Sequence, residues 1–327
     1  MRKDITRHKF SDKIKKELKS LLVLDNWHCW LAFIEDVIVV SAAILITIHF
    51  SWYFYPLAIL MIGSRQRALA TILHESAHGA VAKNPTLNYI MGTFLSGYLI
   101  FQTMASYKKS HVHEHHAHFG DPEKDPDYKY ALSEGLYENH TLSDFRKKFI
   151  LSPLLLSKVP SYLHSLIVRR LFEEKNYNEL FAMLLFWGVI VSALAYAGVA
   201  EYLVLFWLVP YLTTFQIIGW FIELSEHYPL MEKDTNIYMS RNRHSHPVEL
   251  FFTGMHNENY HLIHHLFPTI PFWNLPKAHQ VLMQDENYAR HDRETGGIVW
   301  SNNTNPSILA YAQSQCTQIE CKEATSS

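Results

Sequence analysis

Two long apolar segments, neither containing a lysine or arginine, dominate the sequence. No basic residue occurs between Lys19 and Arg65, and none between Lys175 and Lys233. Each segment is long enough for two membrane-spanning helices, since one span needs about 20 apolar residues. We therefore predict an all-α integral membrane protein with four transmembrane helices in two hairpins. The predicted spans lie at about 33–53, 56–80, 181–197 and 202–224.

The distribution of basic residues predicts the orientation of these spans. Both hairpin turns lack positive charge, so the termini and the central polar region are expected on the cytoplasmic side, where they form a histidine-rich helical cap. We expect an N-terminal cytosolic or interfacial segment over 1–30, a membrane domain over 31–285 and a polar, loosely held tail over 286–327. The first nineteen residues contain eight Lys or Arg and no apolar run, so the mature protein is expected to keep them.

Charge and cysteine content exclude several classes of protein. The 29 basic and 31 acidic residues nearly cancel, to a formal charge of -2, and this gives no sign of nucleic-acid binding. The three cysteines, Cys29, Cys316 and Cys321, are too few and too poorly placed for a disulfide framework or a thiolate metal site.

Histidine is the unusual component, with 21 residues, many of them in three clusters. A lone histidine on an apolar helix face is usually an ordinary core residue, but imidazoles crowded at helical spacing point to a metal. The clusters are HESAH with His74 and His78, SHVHEHH with His111, His115 and His116, and NYHLIHH with His261, His264 and His265.

The number of imidazoles favours a site with two metal ions. Zinc sites typically use three or four protein ligands, whereas eight histidines can serve two metals and leave open positions for dioxygen. HESAH also matches the zinc-protease pattern, with Glu75 as general base, but that reading leaves two clusters unexplained. A metal transporter would place polar groups at the midplane of the membrane, yet the predicted spans are nearly free of ionisable residues.

The order HESAH, SHVHEHH and NYHLIHHLFP resembles the three histidine boxes of the membrane-bound fatty acid desaturase superfamily, which also includes hydroxylases and ketolases. The resemblance covers roughly residues 30–285. It implies a cytosolic non-haem di-iron centre with dioxygen as co-substrate, and ligand roles for the eight histidines of the boxes. Through the motif SEHYPL it also implies a ninth ligand, His227. The three-residue gap between His111 and the paired His115 and His116 departs from the commonest two-residue form, although the family uses it as well.

Several polar residues near the boxes are candidates for orienting the ligands, because metal-bound imidazoles donate their second N–H to a carboxylate, carbonyl or water. The nearby carboxylates are Glu75, Glu114, Asp121, Glu226 and Glu258. We predict that His118, Asn257, Asn259 and Glu226 lie beside the ligands and orient them, and we interpret His113 and His256 as ordinary histidines.

The leading functional hypothesis is an oxygen-dependent fatty acyl desaturase, and the alternative is an acyl or hydrocarbon hydroxylase on the same scaffold. The substrate is expected to be a lipid, an acyl-CoA or an acyl carrier protein. No cysteine-rich iron–sulfur motif is present, so an external electron donor is expected, either a ferredoxin or a small cytochrome. Its predicted docking site is the basic set Arg65, Arg67, Lys108, Lys109, Arg241 and Arg243.

Overall fold

The computed structural model describes residues 5–164, 166, 168, 176–301 and 305–316. It divides into two compact units. The first unit comprises Met1–Val23, His113–Ser157 and Trp220–Ser327, and the second comprises Leu24–Val112 and Lys158–Gly219. Across the described residues the secondary structure is helical, apart from an isolated bridge between Thr6 and Thr235. The predicted all-α class is confirmed.

The second unit is built on long helices. Its α-helices are His28–His49, Tyr55–Ala77, Pro85–Gly92, Met104–Lys108, Val159–His164, Tyr177–Tyr196, Ala200–Leu203 and Val209–Leu212. Tighter or wider turns occupy Trp52–Phe54, Thr93–Gly97, Tyr98–Ile100 and Val204–Leu208. The break between the first two long helices lies at the predicted position, because Ser51 caps the turn Trp52–Phe54 and Pro56 stands in the first turn of the next helix.

Among the described residues, three stretches are long and apolar enough to cross a membrane: His28–His49, Tyr177–Tyr196 and Ala200–Glu232. They overlap three of the four predicted spans. In Tyr177–Tyr196 the one buried residue is Met183, while Phe181 and Leu184 are 68% and 60% exposed. Apolar side chains exposed at this density are suited to a lipid environment. The fourth predicted span, on helix Tyr55–Ala77, is not among the three stretches and stays a prediction.

Helix Tyr55–Ala77 buries a charged side chain and packs closely against a neighbouring helix. Arg65 is 2% exposed, and its guanidinium lies 3.6 Å from the carboxylate of Asp36, itself buried on the preceding helix. At Gly63 the helix backbone approaches Thr214 so closely that a Cβ would collide with the threonine side chain. Small residues at such contacts let membrane helices pack backbone to backbone.

The first unit consists of shorter helices and turns. Its α-helices are Asp12–Lys19, Pro126–Ser133, Leu142–Phe145, Ser152–Leu154, Pro247–Thr253, His261–Leu266, Leu275–Leu282 and Glu286–Asp292, with a further helix over 308–316. Arg146–Leu151 is a π-helix, and short 3₁₀ turns lie at Leu230–Glu232, Asn236–Tyr238, Met255–Asn257 and Phe272–Asn274. Two helices carry residues of both units, Thr214–His227 and the π-helix Lys109–His116.

Both ends of the described chain pack against protein. Ile14 and Leu18 of the N-terminal helix are buried, and this helix packs on helix Leu275–Leu282, so its apolar face is covered by protein rather than by a bilayer surface. The region after 285 is not loosely held where it is described. Tyr288 is fully buried, and Ala312 and Cys316 join a core cluster with aromatic residues such as Phe145.

Candidate metal centre

The third histidine cluster and His227 come together inside the first unit. His261, His264 and His265 lie on the short helix His261–Leu266, whose i, i+3 and i+4 spacing places them on neighbouring positions of its surface. His227 is the last residue of helix Thr214–His227. The Nε2 atoms of His227 and His261 are 3.0 Å apart, and those of His261 and His265 are also 3.0 Å apart.

The second cluster contributes His115 to the same place. Its Nε2 atom lies 3.4 Å from that of His265, and its ring centroid is 5.3 Å from that of His227. We refer to His115, His227, His261 and His265 as the four-histidine group. A neutral imidazole carries one N–H and one lone pair, so these facing Nε2 atoms cannot all be satisfied by hydrogen bonds to one another. Converging lone pairs are the arrangement that a metal ion requires.

A second pair of imidazoles lies beside the four-histidine group in the first unit. The Nε2 atoms of His116 and His264 are 3.1 Å apart, and the His116 ring stacks on that of His265 with centroids 4.5 Å apart. His116 and His265 therefore pack side by side, while His264 presents its Nε2 atom to His116.

The second unit holds the remaining histidines of the boxes as a three-histidine group. His74 lies in the last turn of helix Tyr55–Ala77, His78 caps its C-terminus, and their ring centroids are 5.2 Å apart. The ring of His111 lies 4.4 Å from that of His74 and 5.4 Å from that of His78. Tyr107 stacks on His111. The two boxes that contribute to this unit therefore bring their imidazoles together.

Hydrogen bonds at Nδ1 determine which ring nitrogen is available for a metal. His115 donates from Nδ1 to Asp125 over 2.8 Å, and the Nδ1 atom of His74 lies 3.0 Å from the Glu75 carboxylate. A ring that carries its proton on Nδ1 keeps a bare lone pair on Nε2. The Nε2 atom of His115 faces the other imidazoles of the group, and it offers its lone pair once the ring has lost its second proton.

Burial and charge set opposite protonation states for two members of the group. Burial by itself lowers the pKa of His115, but the carboxylates of Asp125 and Asp127 outweigh it and raise that pKa to about 9. The pKa of His265 is lowered well below its usual value, by burial and then by the neighbouring imidazoles. Without a metal His115 is thus protonated and His265 neutral, and a metal ion must displace the proton of His115.

Asp125 is the residue of this centre that the sequence analysis missed. It is fully buried, and besides His115 it accepts the backbone N–H groups of Gly120, Asp127 and Tyr128. It caps helix Pro126–Ser133. The Asp-Pro pair that signals such a cap was visible in the sequence, but its ten-residue distance from His115 concealed the contact.

Comparison with known proteins agrees with this geometry. Residues 50–295 match the family described as Fatty acid desaturase. The chain belongs to the fatty acid desaturase family. It is 40% identical over 298 residues to a dihydrorhizobitoxine desaturase of Bradyrhizobium elkanii, an alignment that covers 88% of this chain and 84% of that protein. It is 27% identical over 283 residues to an endoplasmic reticulum omega-3 fatty acid desaturase of Vigna radiata var. radiata, covering 77% and 73%.

A third relative is the sn-1 acyl-lipid omega-3 desaturase (ferredoxin) of Nostoc sp. (strain 36), 24% identical over 291 residues that cover 83% of this chain and 79% of that protein. As a member of the desaturase family the chain is an oxidoreductase that acts with oxygen. The imidazole groups fit the iron that this family generally uses, because neutral nitrogen donors suit iron and are concentrated in the boxes.

The residues predicted to orient the ligands differ in what they contact. Glu226 lies 3.5 Å from Nε2 of His261 and is held by Arg243 over 3.0 Å. Asn257 and Asn259 donate to the backbone carbonyls of Phe272 and Arg243 respectively, so these bonds hold the chain around the third box rather than an imidazole. His118 follows the second box in a turn, and its role stays a prediction.

The second box is a π-helix, Lys109–His116, rather than the α-helix assumed in the sequence analysis. π-helical turns are rare and occur frequently at functional sites. His118 stands seven residues after His111, a spacing that shares one face of an α-helix but not of this π-helix and the turn that follows it.

Half of the residues predicted to form a docking surface for an electron donor are buried, so that part of the prediction is wrong. Arg65, Arg241 and Arg243 are at most 3% exposed. Each is engaged inside its own unit, Arg65 by Asp36, Arg241 by the carbonyl of Tyr228, and Arg243 by a buried carboxylate. These three cations stabilise the fold and cannot meet a partner. Lys108 and Lys109 are exposed, and Arg67 is partly buried.

Proposed function

We propose that this desaturase-family protein introduces a double bond into an acyl chain by means of a di-iron centre. The observation that supports the proposal best is the four-histidine group, in which Nε2 atoms face one another at 3.0 and 3.4 Å. The proposed iron ligands are His74, His78, His111, His115, His116, His227, His261, His264 and His265. That all nine serve one centre rests on the family boxes and their order, together with the imidazole groups found within each unit.

Two bound iron ions would supply the oxidising chemistry, in which dioxygen, two electrons and two protons take two hydrogens from adjacent carbons and leave a double bond and two waters. The residues of the chain prepare for this reaction. Asp125 keeps the His115 proton on Nδ1, which leaves Nε2 for the metal. Glu226 and Arg243 form a buried ion pair beside His261. Burial of His115, His261 and His264 excludes bulk water from their ring nitrogens.

The electrons must come from a separate protein. The name of the Nostoc relative specifies ferredoxin, which supports a ferredoxin as donor here, with a small cytochrome as the alternative. The three apolar stretches support an integral membrane location. We propose the four-span arrangement in two hairpins, with the termini and the metal ligands on the cytoplasmic side, on the charge distribution of the sequence. The domain limits proposed from the sequence, 1–30, 31–285 and 286–327, are kept.

The identity of the substrate has two candidates. The plant and cyanobacterial relatives are named for fatty acid and acyl-lipid substrates, which supports an acyl chain. The relative at 40% identity is named for dihydrorhizobitoxine, and the length of that alignment supports the same or a similar substrate as a second candidate.

Expression in a host that lacks the activity separates these candidates. Membrane fatty acids are analysed by mass spectrometry after expression, with and without dihydrorhizobitoxine in the medium. A new unsaturated acyl species supports the acyl substrate, while loss of two hydrogens from dihydrorhizobitoxine alone supports the second candidate. A hydroxylated product would instead show that the scaffold acts as a hydroxylase.

Metal content provides the second readout of the proposed function. The purified protein is expected to hold about two iron ions per chain, and one zinc without iron would contradict the proposal. His261→Ala should lose product and iron together. The matched control is His113→Ala, because His113 lies in the second box but is exposed, and this variant should keep both.

A further inference from the structure

Outside the nine proposed iron ligands, the first unit contains a second group of metal-binding side chains. His244, His279 and Asp292 each offer one ligand atom, and these atoms all lie within 4.8 Å of one another. The Nε2 atom of His244 is 3.0 Å from the Asp292 carboxylate, and that of His279 is 3.9 Å from it. None of the three belongs to a histidine box.

These distances are compatible with a single metal ion at their centre. Metal–nitrogen and metal–oxygen bonds of about 2.0–2.1 Å in a tetrahedron place the ligand atoms about 3.4 Å apart. His244 lies 3.0 Å from one carboxylate oxygen of Asp292, and His279 lies 3.9 Å from the other. All three ligand atoms lie within 4.8 Å of one another, so two of them must approach each other by about 1.4 Å at most, which side-chain rotation supplies without a rearrangement of the backbone.

The surroundings of the group hold its members in place. Asn242 is buried and donates from Nδ2 both to the Asp292 carboxylate and to the Tyr288 hydroxyl oxygen, each over 2.7 Å. The Tyr288 hydroxyl is in turn 3.0 Å from Nδ1 of His279. A contact at Nδ1 leaves Nε2 as the atom that faces Asp292. Ligands held through their remaining polar atoms are characteristic of metal sites.

Exposure and the type of donor atoms distinguish this group from an ordinary buried hydrogen-bond network. Asp292 is 4% exposed in its side chain, but His244 and His279 are 29% and 18% exposed, so an ion can reach the site from solvent. Two imidazoles and one carboxylate form a donor set suited to zinc or ferrous iron.

We propose that His244, His279 and Asp292 bind one divalent transition-metal ion in addition to the iron of the desaturase centre. The three ligands come from the loop before helix Pro247–Thr253, from helix Leu275–Leu282 and from the end of helix Glu286–Asp292. A metal at this site ties the region that follows the third box to the loop that precedes it. Its role is structural, and the site does not depend on the nature of the reaction at the histidine boxes.

The test compares zinc binding between variants of the full-length, iron-loaded protein in detergent. Zinc is added, loosely bound ions are removed by gel filtration, and zinc and iron are counted by mass spectrometry. The wild type is expected to retain about one zinc per chain, and His244→Gln and His279→Gln less than about a tenth of that. Glutamine preserves a hydrogen-bond donor but is a poor zinc ligand. The matched control is His246→Asn, which removes an exposed histidine and keeps its helix-capping role, and it should bind like the wild type.

The test depends on the difference in bound zinc between the wild type and these variants. Absence of iron from the histidine boxes would therefore refute the proposed function and leave the test of the second metal site intact. Zinc retention by His244→Gln and His279→Gln, or none in the wild type, would overturn the metal site. If the variants do not fold, acylation of wild-type histidines by diethylpyrocarbonate decides instead. Zinc should protect His244 and His279 at least several-fold and leave His246 reactive, and unchanged labelling of His244 and His279 would equally overturn the proposal. Repeating the count with ferrous iron identifies which metal the site prefers.

Discussion

Asp125→Asn isolates the contribution of one carboxylate to the metal centre. In the wild type, Oδ1 accepts from Nδ1 of His115 over 2.8 Å and from two backbone N–H groups, while Oδ2 accepts from Gly120 over 2.9 Å. Asparagine keeps one oxygen. With that oxygen at the Oδ1 position, the His115 bond persists but loses its charge, and the amide nitrogen faces the Gly120 N–H.

The size of the effect follows from these two changes. Hydrogen bonds to charged groups contribute about 1.5–3 kcal/mol and neutral bonds about 0.5–1.5, so the His115 bond weakens by about 1–1.5 kcal/mol. That corresponds to roughly a tenfold loss of metal affinity, at the lower end of the range known for groups that support metal ligands. The Gly120 N–H left without an acceptor costs a further 1–3 kcal/mol, approximately, in folding stability.

The pH of the assay decides how much of this loss is visible. The pKa of about 9 for His115 means that below pH 9 a metal competes with a proton. Wild-type affinity should rise up to about tenfold per pH unit between pH 7 and 9 and then level off. In Asp125→Asn the pKa of His115 falls, so affinity should level off at lower pH. The tenfold difference is therefore expected near pH 9, and a smaller one at pH 7.

Anaerobic titration with cobalt(II), whose absorption reports on imidazole ligation, measures both curves. The control is Asp121→Asn, because Asp121 accepts similar backbone bonds in the same loop, from Glu123 and Lys124. If Asp121→Asn and Asp125→Asn bind cobalt(II) equally well at pH 9, the carboxylate does not support His115 and the argument fails.

Three further predictions concern stability. Gly63→Ala places a methyl group against Thr214 and should destabilise the protein by about 1–3 kcal/mol, measured as a lower melting temperature in detergent; an unchanged value would refute the close packing. Arg243→Met removes the guanidinium that pairs with the buried Glu226 carboxylate and should lower the free energy of unfolding by about 3–5 kcal/mol, against little change for an exposed arginine. Burial alone would raise the pKa of Asp285, but bonds from backbone N–H groups and from His8 lower it, so its stabilisation is present at neutral pH and lost as the pH falls below about 4. The difference in free energy of unfolding between the wild type and Asp285→Asn should shrink over that range, and a difference that does not change with pH would contradict this prediction.

Patterns local in the sequence predicted much of this molecule. Hydropathy located the long helices to within a few residues, because membrane spans require continuous apolar sequence. The spacing within each histidine box also predicted that its imidazoles lie together, since residues at i, i+3 and i+4 are neighbours on a helix. In each unit, imidazoles from different boxes lie close together, while the set of nine ligands stays a prediction.

What could not be predicted depends on contacts between distant residues. Asp125 stands in an Asp-Pro pair that predicts a turn, and nothing in that pair predicts a contact with His115. Arg243 looks like a surface cation in the sequence, yet it is buried against Glu226, seventeen residues away. His279 and Asp292 stand in polar sequence without a motif, and only the folded chain brings them beside His244.

The ten-residue segment from His115 to Asp125 has a consequence for how the centre assembles. Loop-closure entropy grows with the logarithm of loop length, and bringing His115 to Asp125 closes ten residues, whereas bringing it to His265 closes 150. The longer closure costs about 2.4 kcal/mol more. His115 can therefore be oriented while most of the chain is still being synthesised, and the first half of the protein presents an aligned ligand before the third box exists.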